Sequence, residues 1–350
     1  TVRILGFREL NSRRADVALV RPSVEHHLRY PNTLNWEQFL CLGMVSSRHC
    51  DIHLVTRVLE AVRGDLANVD VKFMTNMVGA AAKSRRWLMA VQLLHVMRSN
   101  GIDPNEITYT VILAEISRAK QHHIAKEMME TEALGSELFA YNALISGCTA
   151  SRGYDRALGY LEEMLAAKVK PNAMTFSSLI ASARNGSEQS VKRAFETLDR
   201  MKNIGVRPDT YCMNCVMSVS VDARQPNTAL DVFREMERDG IPRDVISYNT
   251  AIKACDKLRD ANAALRLLEE AKQASLLPDT FTYNSVISAC GHSSLWEEAL
   301  QLFEEMHETG VEAGLMTHNT VIAACVRAQN PDKAMEVFAM IRERGLKPDQ

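Results

Sequence analysis

The sequence predicts an all-α chain, a right-handed α-solenoid of helix-turn-helix repeats about 35 residues long, and three observations carry that prediction. The first is an alanine that recurs as Ala90, Ala125, Ala157, Ala194, Ala229, Ala264, Ala299 and Ala334, at intervals of 35, 32, 37, 35, 35, 35 and 35 residues. The second is a pair of apolar stripes in each period, both with helical spacing. The third is a helix-stopping close, glycine and then proline, at the end of the period.

In the unit that starts at Thr280, Tyr283, Val286, Ile287 and Cys290 fall at i, i+3, i+4 and i+7, which puts one apolar stripe on a first helix. On the second helix Trp296, Ala299, Leu300, Phe303 and Met306 repeat the pattern, while Glu297, Glu298, Glu304 and Glu305 are expected to face water. The shared alanine is expected where two helices cross closely. Gly101, Gly205, Gly240, Gly310 and Gly345 each close a second helix, because glycine takes the left-handed cap at low cost. Pro104, Pro171, Pro208, Pro278 and Pro348 then stop the helix and set up the next unit.

The best-formed unit is 245–279, and 210–244, 280–314 and 315–349 have the same length, so four adjacent units align without a gap. Upstream, 173–209 is two residues longer at Asn185-Gly186-Ser187, 138–172 is standard, 106–137 is three residues short after Ala125, and 71–105 fits well. That makes eight repeats. Ahead of them 36–70 reads as one degenerate unit, matched by length and by Val55, Leu59 and Val62, and 1–35, with its six arginines, as an arm or cap of irregular structure. The chain opens at Thr1 rather than Met and ends one residue past a complete repeat, as expected of a processed form or part of a longer protein.

Apolar residues make up 46% and aromatics 6%, which suits many small helical layers. With 41 basic against 43 acidic residues there is no global positive field, so any nucleic-acid site has to be local. Of the eight cysteines, Cys148, Cys255, Cys290 and Cys325 hold the same place in successive repeats, which reads as small buried hydrophobes in a reducing compartment rather than a disulfide framework. No apolar run approaches the roughly 20 residues of a membrane span, and no signal peptide is visible. Cys212-x-x-Cys215 lacks the second pair of a zinc site, His49 and His53 near Cys50 lack further ligands, and His122-His123 diverge on a helix, so no metal is expected. Phosphate loop, dinucleotide fingerprint and nucleophile elbow are all missing, so the expectation is no enzyme, no cofactor and no small-molecule substrate.

The period, Tyr141-Asn142, Tyr248-Asn249 and Tyr283-Asn284 near the start of a unit, the alanine, Met97, Met164, Met201, Met236 and Met306 late in the second helix, and a closing Pro-Asp or Pro-Asn together resemble the pentatricopeptide repeat family. Tetratricopeptide repeats, the nearest rival, have a period of about 34 and a small eighth residue, where this chain has Ile252, Ile287 and Ile322.

The resemblance implies that the first helices line a concave groove and that the fifth and last residues of each repeat read one base of single-stranded RNA. Carried over, the pairs are Thr75 with Asn105, Asn142 with Asn172, Ser177 with Asp209, Asn214 with Asp244, Asn249 with Asp279 and Asn319 with Asp349. Asn284 pairs with Gly314, which has no side chain, and Thr110 faces Glu137 across the shortened unit. In the family Thr-Asn favours A, Ser-Asp G, Asn-Asp U, and Asn-Asn a pyrimidine, so the array is expected to prefer A, any base, pyrimidine, G, U, U, pyrimidine, U. The second residues Ile107, Phe139, Met174, Tyr211, Ile246, Phe281 and Met316 would wedge between bases, and Lys83, Arg118, Lys257 and Arg327 at the thirteenth place would meet phosphates. Ala150, Asn185, Asp222 and His292 interrupt that row. The expected function is sequence-selective RNA binding in a chloroplast or mitochondrion, for transcript stability, processing or translation. The rival expectations are a scaffold subunit of an organellar ribosome or polymerase, with protein partners, and the RNA-binding part of a longer enzyme.

Overall fold

A computed structural model describes residues 71–343, together with 23–25, 27 and 42. Apart from those few, the expected arm and the degenerate unit lie outside the described residues, as do Gly345, Pro348 and Asp349. Among the described residues 71–343 the regular elements are sixteen α-helices and one short 3-10 turn at Leu134–Ser136, so the chain is all-α as its pattern predicts.

The helices come in pairs: α1 (Val71–Lys83) with α2 (Trp87–Ser99), α3 (Glu106–Arg118) with α4 (His122–Thr131), and α5 (Leu138–Ala150) with α6 (Tyr154–Ala166). They continue with α7 (Ala173–Ser182) and α8 (Glu188–Asn203), α9 (Thr210–Asp222) and α10 (Pro226–Arg238), and α11 (Val245–Leu258) and α12 (Ala261–Gln273). The last are α13 (Thr280–His292) with α14 (Trp296–Glu308) and α15 (Leu315–Arg327) with α16 (Pro331–Glu343). They fall into two compact units, residues 1–171 and 172–350. In the first unit α1, α3 and α5 lie side by side, and in the second α7, α9, α11, α13 and α15 do the same. Each first helix packs on its own second helix, so each unit is two layers deep with the apolar stripes between the layers.

The recurring alanine sits inside that seam. Ala90, Ala125, Ala157, Ala194, Ala229, Ala264 and Ala299 are fully buried and Ala334 nearly so. In the second unit Ile252, Cys255, Ala264, Tyr283, Ile287, Ala299 and Phe303 belong to one continuous core that runs through three pairs. Leu302, rather than Leu300, is the deeply buried leucine of α14.

Helix ends follow local chemistry. Gly310 has φ +75°, and the Val311 amide beyond it donates to the Met306 carbonyl at 2.8 Å, which is a Schellman close. Lys168 and Ser275 adopt the same left-handed conformation without glycine, at φ 60° and 58°, so the turn geometry overrides the residue preference there. The turn inside each pair is also left-handed, at Arg85, Lys120, Arg152, Gly186, Arg224, Arg259, Ser294 and Gln329.

The expectation that the second-helix glutamates only face water fails at Glu305. It is half-buried, accepts from Tyr283 Oη at 2.7 Å and pairs with Lys272 Nζ at 2.6 Å, so it ties α14 to α13 and to α12 of the preceding pair. His122 Nδ1 lies 3.0 Å from Tyr160 Oη, which ties α4 to α6. Cys148, Cys255, Cys290 and Cys325 are buried and free. Burial pushes the Cys255 thiol up to about 11 and the Cys290 thiol up to about 12, so both stay protonated and unreactive.

Candidate functional site

The closing residue of each repeat is placed by the start of the next helix. A helix leaves its first amides unsatisfied, and a short side chain with an oxygen acceptor at the N-cap takes one of them. Asn105 accepts from the Thr108 amide of α3, Asn172 from Thr175 of α7, Asp209 from Cys212 of α9, Asp244 from Ser247 of α11 and Asp279 from Thr282 of α13. Capping anchors these five closing side chains, whereas Glu137 and Gly314 give α5 and α15 no side-chain cap.

The fifth-place residues reach these caps. In the second unit Asn214 Nδ2 donates to Asp244 Oδ1 at 2.9 Å, and Ser247 Oγ donates to Asn214 Oδ1 at 2.7 Å. Asn249 Nδ2 lies 3.3 Å and 3.5 Å from the two oxygens of Asp279, and Thr282 Oγ1 donates to Asn249 Oδ1 at 2.6 Å. Burial alone would push the Asp244 carboxyl up, but hydrogen bonds from the Ser247 amide, Asn214, the Ser247 hydroxyl and the Ile246 amide outweigh it and hold the group below the usual carboxylate range. In the first unit Thr75 Oγ1 lies 2.8 Å from Thr108 Oγ1, which donates to Asn105 Oδ1 at 2.8 Å. Two expected pairs are therefore joined directly and a third through an intermediate hydroxyl.

Ser177 and Asp209 are not joined in this way. Ser177 is fully buried and donates to its own Ala173 carbonyl at 2.8 Å, while Asp209 accepts from Cys212. Asn142 is buried in the first unit, and Asn172 caps α7 in the second. Opposite Gly314, Asn284 Oδ1 is buried with no hydrogen-bond partner, and so is Thr317 Oγ1 at the third place of the next repeat. Asn319 is half-buried, and its expected partner Asp349 lies outside the described residues.

The second-place residues form the most regular feature of the surface. Ile107, Met174, Tyr211, Ile246, Phe281 and Met316 are between 49% and 72% exposed, although each adjoins a buried third-place residue, and Phe139 is half-buried. A large apolar side chain is thus held in water once per repeat, at the same register each time. At the thirteenth place Lys83, Arg118, Lys257 and Arg327 are exposed. Arg118 pairs with Glu115, whose carboxyl burial pushes up against the pull of Arg118 and Arg85. Asp222 pairs with Arg184 and lies 4.0 Å from Lys253. His292 Nδ1 is 3.0 Å from Asp256 Oδ1.

In the last repeat the three kinds of expected contact converge. Met316, Asn319 and Arg327 line a single hollow of about 540 Å³ with Ser288, Leu315, Thr320 and Ala323, which presents an apolar face, a carboxamide and a cation to one occupant. The third-place hydroxyls are the site residues that the sequence pattern missed. Their signal is the capping-box spacing, a closing Asp or Asn with Thr or Ser three residues on, as in Asp244 with Ser247 and Asp279 with Thr282. Among the described residues no three His, Cys, Asp or Glu side chains gather as metal ligands, and no helix is long and apolar enough to cross a membrane.

Comparison with known families agrees with this geometry. A pentatricopeptide repeat domain model matches residues 231–293, a PPR repeat family model matches 69–118, 137–183 and 278–327, and a PPR repeat model matches 211–241 and 316–346. The chain belongs to the pentatricopeptide repeat family. A chloroplastic pentatricopeptide repeat-containing protein of Arabidopsis thaliana is 27% identical over 171 residues, which is 46% of this chain and 22% of that protein. The chain spans about a fifth of the length of the curated relatives it matches. Among solved structures, the pentatricopeptide repeat protein PPR10 from maize is 18% identical, with 95% of this chain and 67% of that one covered and a TM-score of 0.40. The pentatricopeptide domain of Arabidopsis thaliana protein-only RNase P 1, solved with tRNA, is 15% identical, with 51% and 94% covered and a TM-score of 0.45.

Proposed function

We propose that this pentatricopeptide repeat protein binds single-stranded RNA base by base, with 71–105, 106–137, 138–172, 173–209, 210–244, 245–279, 280–314 and 315–349 as its reading units and 36–70 a degenerate unit behind an arm at 1–35. The observation that carries the reading is the convergence of an exposed apolar residue, a hydrogen-bonding side chain and a cation, at the register the family uses, in the hollow lined by Met316, Asn319 and Arg327. An apolar face stacks on a base, the carboxamide offers both a donor and an acceptor to its edge, and the cation meets the neighbouring phosphate.

Asn214 with Asp244 and Asn249 with Asp279 then select U, while Ser177 with Asp209 selects G and Thr75 with Asn105 selects A. Asn142 with Asn172 takes a pyrimidine, and Asn284 beside Gly314 is the weakest reader. Because the thirteenth-place row is interrupted, affinity depends on stacking and base reading more than on charge. The role is organellar and consists of occupying a transcript to protect it, process it or promote its translation; the chloroplastic name of the Arabidopsis relative favours that setting. Sequencing the RNA that co-purifies with the native protein tests the reading. A short U-rich footprint is expected, and ribosomal RNA with no preferred sequence would favour a scaffold subunit, to which the ion pair tying up Arg118 also points.

A further inference from the structure

The reading residues do not act alone, and the structure indicates what orients them. In the Asn249 junction the Asp279 amide donates to Thr282 Oγ1 at 3.0 Å, the Thr282 hydroxyl donates to Asn249 Oδ1 at 2.6 Å, and Asn249 Nδ2 faces the Asp279 carboxylate at 3.3 Å. The three bonds close a ring that runs in one direction. The Thr282 hydroxyl has one proton and two acceptors in reach, Asn249 Oδ1 at 2.6 Å and Asp279 Oδ1 at 2.9 Å, and the shorter contact is to the carboxamide; the carboxylate only accepts, so the carboxamide nitrogen turns to it. The Asn214 junction repeats the ring, from the Asp244 amide to Ser247 Oγ at 3.2 Å, on to Asn214 Oδ1 at 2.7 Å and from Asn214 Nδ2 to Asp244 Oδ1 at 2.9 Å. At the Thr75 junction the same third-place position, Thr108, again bridges the fifth-place and closing side chains.

The junction at Gly314 shows the ring undone. Without a closing carboxylate α15 has no side-chain cap, and both Asn284 Oδ1 and Thr317 Oγ1 stand buried without a partner, although the Asn and the Thr are each present.

On this geometry, and resting on the base-reading function proposed above, we propose that Ser247 and Thr282 are positioning residues for specificity: each belongs to the repeat after the one it serves, and fixes which end of Asn214 or Asn249 faces the base. Uracil and cytosine present opposite donor and acceptor patterns at N3 and the neighbouring exocyclic group. A carboxamide held in one orientation therefore separates them, and one free to turn does not. At these two junctions the reading unit is a three-residue device shared by two repeats, and Asn284, whose ring is undone, is the degenerate carboxamide.

The test measures affinity of the full chain for two RNAs that differ only as U or C opposite Asn249, with wild type, Thr282→Val and Thr282→Ser. Valine keeps the shape and removes the hydroxyl, and the ratio between two RNAs on one folded protein cancels any loss of stability. Thr282→Val is expected to lower the U-to-C preference by about fivefold, on the order of one hydrogen bond's net contribution, and Thr282→Ser to keep it. Gly314→Asp is expected to raise the U-to-C preference opposite Asn284 by a similar factor. If wild type prefers U opposite Asn249 and Thr282→Val keeps that ratio, the positioning role is wrong while base reading stands. If wild type itself does not distinguish U from C there, base reading fails and the positioning role falls with it.

Discussion

Gly147 in α5 gives the sharpest test of how closely the groove helices approach. A Cβ built there would lie 2.5 Å from the Ala114 carbonyl oxygen and 2.6 Å from Ser117 Cβ, both on α3. Neither atom can swing away, because one belongs to the helical backbone and the other to its first side-chain carbon. Gly147→Ala must therefore push α3 and α5 apart, which also stretches the 2.7 Å bond from Ser117 Oγ to the Leu144 carbonyl. Overpacking of this kind costs roughly 1 to 3 kcal/mol, and the strained hydrogen bond adds up to about 1. Against that, replacing a mid-helix glycine by alanine gains about 1 kcal/mol in helix propensity. The net expectation is a loss of about 1.5 kcal/mol. Gly159, inside α6, has nothing within 4 Å of its Cβ position, so Gly159→Ala should stabilise by about 0.5 to 1 kcal/mol. Urea unfolding followed by circular dichroism should separate the midpoints of the two variants to opposite sides of wild type. A Gly147→Ala protein as stable as wild type would refute the close approach on which the spacing of the reading residues depends.

Three further outcomes follow from the same geometry. Ser275 is exposed and left-handed at φ 58°, so Ser275→Gly should raise stability by about 0.5 to 1 kcal/mol in the same urea assay, and a destabilised variant would contradict the assigned turn. The Asp244 carboxyl is held below its ordinary value by its hydrogen bonds, so its contribution to stability is full above the unfolded value of about 4 and is lost as pH falls through the folded value; Asp244→Asn should flatten the acid limb of a pH-stability curve, and an unchanged limb would argue against those bonds. Because burial keeps Cys148, Cys255, Cys290 and Cys325 protonated, alkylation should be slow in the folded protein and complete on unfolding, whereas missing thiols after unfolding would reveal disulfides.

Much of this architecture is legible in the sequence because it is local and repeated. The buried alanine, the stripes through Tyr283 and Ile287, and the Gly310 close each follow from helical spacing or from one residue's backbone preference. The inner turns were not legible, since Arg85, Lys120, Arg152, Arg224 and Arg259 carry no turn signal and take a left-handed backbone because the two packed helices require it. Glu305 looked like a solvated charge, and its partner Lys272 belongs to the preceding pair, a contact that only stacking creates. The third-place hydroxyls lie between these cases: Asp279 with Thr282 reads from sequence as a capping box, but the reach of Thr282 back to Asn249 depends on how α11 and α13 sit side by side. Ser177 shows the reverse, a residue with the right identity whose hydroxyl is already committed to Ala173.

The most direct measurement of base reading is a specificity swap at a single junction. Two short RNAs carry the expected order of bases and differ only as U or G opposite the repeat 245–279; each is titrated at physiological salt with wild type and with Asn249→Ser, which recreates beside Asp279 the Ser-Asp pair found at Ser177 and Asp209. Wild type should prefer the U-containing RNA. Asn249→Ser should lose affinity for it and recover on the G-containing RNA, each mismatch costing on the order of 1 kcal/mol or more, and Lys257→Ala should weaken both RNAs alike. Failure of both proteins to bind either RNA, or an unchanged preference in Asn249→Ser, would contradict reading of one base per repeat.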